Sequence, residues 1–251
     1  MDFTNKNIVI TGAGAGVGKR AAAKFLERGG RVMICDKDEK VAEEAVKALS
    51  AKGEVVSFVA DVRDYEAVGE MAKKAVETFG GVDIWLNNAG AGTQKKFIDT
   101  APSDWDRDIG INLYGVLNGC KAILPHFIER KAGKIVNTVS DAGRVGDATL
   151  SVYSAAKAGV IGFTKALSKE VGKYNILVNC VSLAGTRTER TGKMMDAMPP
   201  EMLKKIEKGY ALRRMGTMDD AANILLLMSS DYVTWVTGQT LSSSGGYSFV
   251  S

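Results

Sequence analysis

The chain has 251 residues, 45% of them hydrophobic and 25% charged, with 28 glycines against 4 prolines; this is the usage of one folded domain, not of a disordered chain. One histidine (His126) and three scattered cysteines (Cys35, Cys120, Cys180) exclude a CxxC or HExxH metal site and a disulfide scaffold, so no metal is expected. The net charge of +4 is local: residues 186–214 carry eight basic side chains and four acidic ones, and the remainder balances at 25 against 25.

In chain order, short runs of β-branched and apolar residues fall at 7–11, 31–36, 55–60, 82–86, 134–139 and 176–181, with a last one near 239–242. They are almost continuously apolar, as buried parallel strands are. Between them lie segments of 3.6-residue periodicity at 18–28, 37–52, 65–79, 103–130 and 151–173. Alternation of this kind predicts a doubly wound α/β layer structure of about seven parallel strands with helices on both faces. It reads as one domain over 1–251, interrupted at 184–216 by a Met- and charge-rich helical insertion expected to act as a substrate lid. There is no basic stripe with interleaved aromatics for nucleic acid. No apolar run reaches the ~18 residues of a membrane span, and no signal-peptide pattern opens the chain. A cytoplasmic location is the expectation.

The first strand runs into Thr11-Gly12-Ala13-Gly14-Ala15-Gly16-Val17-Gly18 and then a helix. Glycines at 12, 16 and 18 allow a tight turn, and the N–H groups at the helix start, Val17 among them, suit a pyrophosphate. Asp36 closes the second strand. A carboxylate there accepts the ribose hydroxyls of NAD and repels a 2′-phosphate, although adjacent Lys37 softens that preference. Equally, Asp36 is placed to N-cap the next helix. Asp61-Val62 ends the third strand where an adenine would lie, and Asn88-Ala89-Gly90 follows the fourth.

Ser140 ends the fifth strand, and Tyr153 and Lys157 share one face of the following helix at i,i+4. An ammonium beside a phenol lowers the phenol's pKa, which makes a general acid/base for an alcohol or ketone. Ser140 would bond the same substrate oxygen, and Asn112 could hold a water that relays protons through Lys157.

These stretches together, with Tyr153-Ser-Ala-Ala-Lys157 and the TGQTLSSSGG of 237–246, resemble the short-chain dehydrogenase/reductase family over essentially the whole chain. The resemblance implies a Rossmann-type fold, NAD(P)-dependent chemistry at a carbinol or carbonyl carbon and a homotetramer. It implies a catalytic set of Asn112, Ser140, Tyr153 and Lys157, with Thr186 and Thr188 on the cofactor side. Two positions depart from the family: Leu183-Ala184 stand where Pro-Gly is usual, and Ser244 stands where an Asp commonly precedes the paired glycines.

Ser140-Asp-Ala-Gly-Arg-Val-Gly146 with the SSSGG end is similar to a subgroup that oxidises 2-hydroxycyclohexanecarboxyl-CoA. Six of the ten methionines lie in 194–218, an adaptable apolar cover, beside cations suited to CoA phosphates. Arg144 is a candidate substrate contact. The leading expectation is therefore an NAD-dependent hydroxyacyl-CoA dehydrogenase. A 3-oxoacyl reductase or a sugar, polyol or steroid alcohol dehydrogenase is the alternative within the family, and a non-catalytic NAD(H) sensor is the alternative outside it.

Overall fold

Side chains alternate between the two faces of a strand, and here both faces are apolar, so both need a helical cover. The computed structural model describes residues 1–249. In order, the elements are β1 (Asn7–Thr11), α1 (Gly16–Leu26), β2 (Arg31–Asp36), α2 (Glu39–Leu49), β3 (Val55–Val59), α3 (Tyr65–Phe79), β4 (Ile84–Asn87), α4 (Pro102–Ile109) and α5 (Gly115–Arg130). There follow β5 (Gly133–Ser140), α6 (Ala142–Val145), α7 (Ser151–Val171), β6 (Ile176–Leu183), β7 (Thr186–Arg187), α8 (Glu189–Asp196), α9 (Pro200–Lys208), β8 (Gly216–Thr217), α10 (Met218–Ser229) and β9 (Thr240–Ser243).

Seven strands form one sheet in the order β3-β2-β1-β4-β5-β6-β9, and every neighbouring pair is parallel. The chain winds outward from β1 to β3, then restarts at β4 on the other side of β1. This is the Rossmann-type doubly wound order, and its switch point lies between β1 and β4. On one face Val9, Met33, Trp85, Ile135 and Val178 pack with Met71, Ile123, Phe127 and Val160 from α3, α5 and α7. On the other, Ile8, Ile10, Ile34, Leu86 and Val181 pack with Phe25 of α1 and Leu225 and Leu226 of α10. Full burial of each such side chain stabilises by about 1.5–3 kcal/mol.

Three expectations are corrected. The edge strands are not fully buried: β3 is half-buried with Val59 exposed, and β9 is half-buried to exposed. An edge strand lacks one neighbour and half its cover. The fourth strand begins two residues later than the apolar run at 82–86, because Val82 and Asp83 are spent on the turn. The Val82 N–H donates to His126 Nε2 at 3.0 Å and the Asp83 N–H to the Asn7 carbonyl at 2.9 Å. The periodic stretch 103–130 is not one helix: a π-helical turn at Gly110–Tyr114 separates α4 from α5. The flanking Gly110 and Gly115 are poor helix formers. Asn112 Nδ2 donates to the carbonyls of Asp108 (2.8 Å) and Ala91 (2.5 Å), drawing the widened turn toward the end of β4.

A buried polar seam runs through one face of the core. Trp85 Nε1 donates to Asn87 Oδ1 (2.8 Å), Asn87 Nδ2 to Asn137 Oδ1 (2.8 Å), and Asn137 Nδ2 to Thr164 Oγ1 (2.9 Å). Such groups are tolerated in a core because each is partnered. Gly119 of α5 lies directly over the seam: a Cβ there would stand 2.8 Å from Trp85 Nε1 and nearer still to Asn87 Oδ1. Gly119→Ala is therefore expected to cost about 2 kcal/mol through overpacking and to lower Tm by about 4–8 °C, read by thermal melting. An unchanged Tm would show that α5 can lift off β4 without loss.

Candidate active site

The glycine loop leaves β1 at a buried Thr11, whose Oγ1 accepts the N–H groups of Asn88 (3.0 Å) and Ala89 (3.1 Å). Asn88 Nδ2 returns two bonds, to the carbonyls of Thr11 (3.0 Å) and Gly12 (3.1 Å). The ends of β1 and β4 are thus sewn together at the switch point. Gly12 has φ +61°, and a Cβ on it would lie 2.7 Å from Ala89 Cα, so only glycine fits. α1 begins with Ala15 as an N-cap that offers no side-chain bond, and its first turn holds no acidic residue. Its leading N–H groups are left for an anion.

Asp36 stands at the rim of this loop. Its Oδ2 accepts the Gly14 N–H at 3.2 Å and its Oδ1 the Asp38 N–H at 3.3 Å. The capping alternative for Asp36 is overturned, because Asp38 caps α2, accepting the Val41 N–H at 3.1 Å. Asp61 is bonded to Arg63, which holds its carboxyl below the usual carboxylate range. Val62 is buried, and its carbonyl accepts from Asn118 at 2.9 Å.

One strand end further along, β5 delivers Ser140 and α7 presents Tyr153 and Lys157 to it. The Ser140 hydroxyl bonds the Tyr153 oxygen. Lys157 Nζ donates to the Thr138 carbonyl at 2.8 Å and lies 5.7 Å from the centre of the Tyr153 ring. Asn112 Oδ1 is buried with no partner. A Cβ at Gly90 would sit 3.1 Å from Asn112 Oδ1 and 3.4 Å from Lys157 Nζ, so both groups border one gap that glycine leaves open.

The expected electrostatics need correcting here. Burial pushes the Tyr153 phenol up, against smaller downward effects of the Ser140 bond and of Arg190. Burial also brings Lys157 down to about 8. The ammonium lies over the ring and donates to the Thr138 carbonyl. The downward pull on the phenol comes instead from Ser140 and Arg190.

The 184–216 segment begins beside this cleft. Thr188 caps α8 through the Thr191 N–H (3.2 Å), and Thr191 Oγ1 donates to the Thr186 carbonyl (2.8 Å). Thr188 and Glu189 each approach to 3.9 Å of where a Gly16 Cβ would be, so α8 starts against the glycine loop. Two of the eight cations are locally paired, Arg187 with Asp196 and Arg214 with Asp220. Lys204, Lys208 and Arg213, with Glu207, line an open groove. Arg144 is mostly buried and lies 3.7 Å from the Asp141 carboxyl. Thr11, Asp141, Arg190 and Tyr210 also belong to this region. Thr11 opens the glycine motif, Arg190 lies in the basic run and Asp141 stands in the 140–146 stretch but is not singled out there; Tyr210 belongs to no motif of its own.

A family model described as short chain dehydrogenase matches residues 6–199. The BbsD subunit of (2S)-[(R)-hydroxy(phenyl)methyl]succinyl-CoA dehydrogenase from Thauera aromatica is 38% identical over 252 residues, covering 99% of this chain and 98% of its own. The 3-oxoacyl-[acyl-carrier-protein] reductase FabG of Chlamydia muridarum is 36% identical, covering 97% and 98%. Among solved structures, the Brucella melitensis 3-oxoacyl-[acyl-carrier protein] reductase superposes with TM-score 0.90 at 32% identity, over 99% of this chain and 93% of that one. NAD+-bound xylitol dehydrogenase superposes with TM-score 0.93 at 26% identity, over 98% and 100%. With a matching family model and relatives covered nearly from end to end, this chain belongs to the short-chain dehydrogenase family of oxidoreductases, which act on CH–OH and keto groups with a nicotinamide cofactor.

Proposed function

We propose that the protein is an NAD-dependent dehydrogenase that interconverts a secondary alcohol and a ketone on a hydroxyacyl-CoA, of the 2-hydroxycyclohexanecarboxyl-CoA kind. The observation that carries the proposal is the convergence of Ser140, Tyr153, Lys157 and Asn112 beside the glycine loop, around the gap at Gly90.

The residues present fit a dinucleotide. The Gly12–Gly18 cradle with α1's free N–H groups would hold the pyrophosphate, Asp36 the adenosine ribose, and Val62 the adenine. Asn88, Ala89, Gly90, Tyr153, Lys157, Thr186 and Thr188 would face the nicotinamide half. Bound there, the nicotinamide supplies or takes the hydride. The chain's own part is the proton and the oxygen. Tyr153 Oη gives a proton to the ketone oxygen in one direction and takes it from the alcohol in the other. The Ser140 hydroxyl bonds that same oxygen and fixes its place against Tyr153. Lys157 Nζ and Asn112 Oδ1 offer a donor and an acceptor to a water at Gly90, a route for the proton to leave. Because Asp38 does the capping, Asp36 is available to the ribose, which favours NAD over NADP.

The CoA part draws on the cations of 184–216 that have no acidic partner among the described residues, and on BbsD, whose name gives a CoA thioester. The same cationic groove favours a second reading as a 3-oxoacyl reductase, because a carrier protein's phosphopantetheine also brings a phosphate. For assembly we propose the homotetramer; the outward face of α7 carries Ala155, Ala158, Gly159, Gly162 and Ala166, small enough to admit a second helix.

NADH formation from 2-hydroxycyclohexanecarboxyl-CoA, but not from the free hydroxy acid, is the expected result. Tyr153→Phe should lower that rate by about 10²–10⁴-fold while NADH still binds, which separates an enzyme from a sensor. Turnover of neither compound, with NADH bound, would remove the substrate class. Asp36→Ala should narrow the NAD over NADP preference by about tenfold, some 1.4 kcal/mol. An unchanged ratio would leave Asp36 only its bond to the glycine loop.

Lys157 yields a stability test. Its folded value is about 8 against an ordinary 10.5, so between those pH values the unfolded chain binds more protons and stability rises with pH. Below pH 8 both states are protonated and the penalty of burial is complete. Comparing wild type with Lys157→Met by urea unfolding, the difference should move toward wild type by up to about 3 kcal/mol between pH 7 and pH 10.5. A pH-independent difference would mean that Lys157 keeps its solution proton affinity.

A further inference from the structure

Asp141 directly follows Ser140, and its side chain is 1% exposed. Three hydroxyl donors and a guanidinium, from four places, meet on its carboxyl. Ser182 Oγ of β6 donates at 2.5 Å, Ser242 Oγ of β9 at 3.1 Å, Ser248 Oγ of the C-terminal segment at 2.5 Å, and Arg144 Nη1 stands 3.7 Å away. The backbone of Asp141 is equally committed. Its N–H donates to the Leu183 carbonyl at 3.0 Å, and its carbonyl accepts the N–H groups of Arg144 and Val145 at 2.9 Å each. The turn it starts lies against the catalytic helix: a Cβ at Gly143 would be 2.8 Å from Lys157 Cβ.

The C-terminal segment reaches further. The Tyr247 hydroxyl donates to Asp147 Oδ1 at 2.7 Å, on the same turn. Its ring lies 5.3 Å from that of Tyr210, which follows α9. The Gly245 carbonyl accepts the Leu212 N–H at 3.0 Å. Tyr210 in turn bonds the backbone of Gly185, just beyond β6. Gly245 and Gly246 have φ of +60° and +76°, so the chain turns sharply to make these contacts.

We propose that Asp141 is the positioning residue of the active site: its buried carboxyl clasps residues 244–249 to the turn carrying Ser140, and through Tyr247 and Tyr210 ties that turn to the end of the lid and to Gly185. This rests on the assignment of Ser140 and Tyr153 as the pair that handles the substrate oxygen. A buried carboxyl needs all its donors, so loss of Ser248 loosens the clasp at its far end while Ser140 keeps its own contacts. The consequence falls on substrate binding more than on the chemical step. Asp141→Asn acts closer to Ser140 and affects both.

The test compares wild type with Ser248→Ala, Tyr247→Phe and Asp141→Asn. The first arm is amide hydrogen exchange on the full chain without substrate, so it stands even if the hydroxyacyl-CoA assignment fails. Exchange at 142–150 and at 209–215 should rise together by about tenfold in Ser248→Ala, with β1 and α1 unchanged. The second arm is kinetic, with whichever alcohol the wild type oxidises. Ser248→Ala and Tyr247→Phe should raise KM by about fivefold or more with kcat held within about twofold, Asp141→Asn should lower kcat as well, and Ser248→Thr should restore wild-type values. No rise in exchange, a rise confined to 244–249, a rise spread over the whole chain, or an unchanged KM would each overturn the proposal. Should Asp141→Asn fail to fold, Ser248→Ala and Tyr247→Phe decide alone.

Discussion

Every strand of the main sheet points the same way, and the rest of the site follows from that constraint. Parallel strands release their C-terminal ends along one edge, so Thr11, Asp36, Asn87, Ser140 and Leu183 emerge there although they are far apart in sequence. The switch between β1 and β4 opens a crevice among them, since the connections on its two sides leave in opposite directions. The bonds between Thr11 and Asn88-Ala89 keep that crevice at fixed width. Chemistry can then be carried by loops and first helical turns, while the sheet absorbs the cost of holding them.

That cost is visible beneath the site. Asn87, Asn137 and Thr164 fill a part of the core that apolar side chains would occupy more simply. Asn112 keeps a buried carbonyl oxygen without a partner, and Lys157 is buried deeply enough to have its proton weakened. A buried unpaired polar group costs about 1–3 kcal/mol. Asn112 Oδ1 and Lys157 Nζ both border the gap at Gly90. The π turn belongs with them. A regular helix through 110–114 would direct Asn112 elsewhere, and its two bonds to the Asp108 and Ala91 carbonyls hold the distortion in place.

The strands of the sheet and the convergence of Ser140, Tyr153 and Lys157 were legible in the sequence because each depends on local spacing: apolar runs for strands, i,i+4 for the pair on α7, glycines at a strand exit. What could not be read depends on contacts across the fold. The break at 110–114 is invisible to hydrophobic periodicity, which continues through it. Asp36 and Asp38 both suit a cap, and only the register of β2 against α2 decides between them. The proton affinity of Tyr153 turned on burial, which no sequence spacing displays. Asp141 is an ordinary Asp in sequence, because its partners are 41, 101 and 107 residues away.

The two departures from the family pattern acquire a common physical sense. Proline after β6 would stiffen the backbone by fixing φ; Leu183-Ala184 do not. Here Gly185 is steadied from outside by the Tyr210 hydroxyl, and Tyr210 is held by the Tyr247 ring. Ser244 leaves the family's acidic position before the paired glycines without a carboxylate, and the C-terminal end is instead drawn to the carboxyl of Asp141 through Ser242 and Ser248. Rigidity supplied by one residue's ring is permanent. Here it is supplied instead by hydrogen bonds and by the tilted Tyr210–Tyr247 ring pair, so it depends on the contacts among the Asp141 turn, residues 209–215 and the C-terminal segment all being made at once.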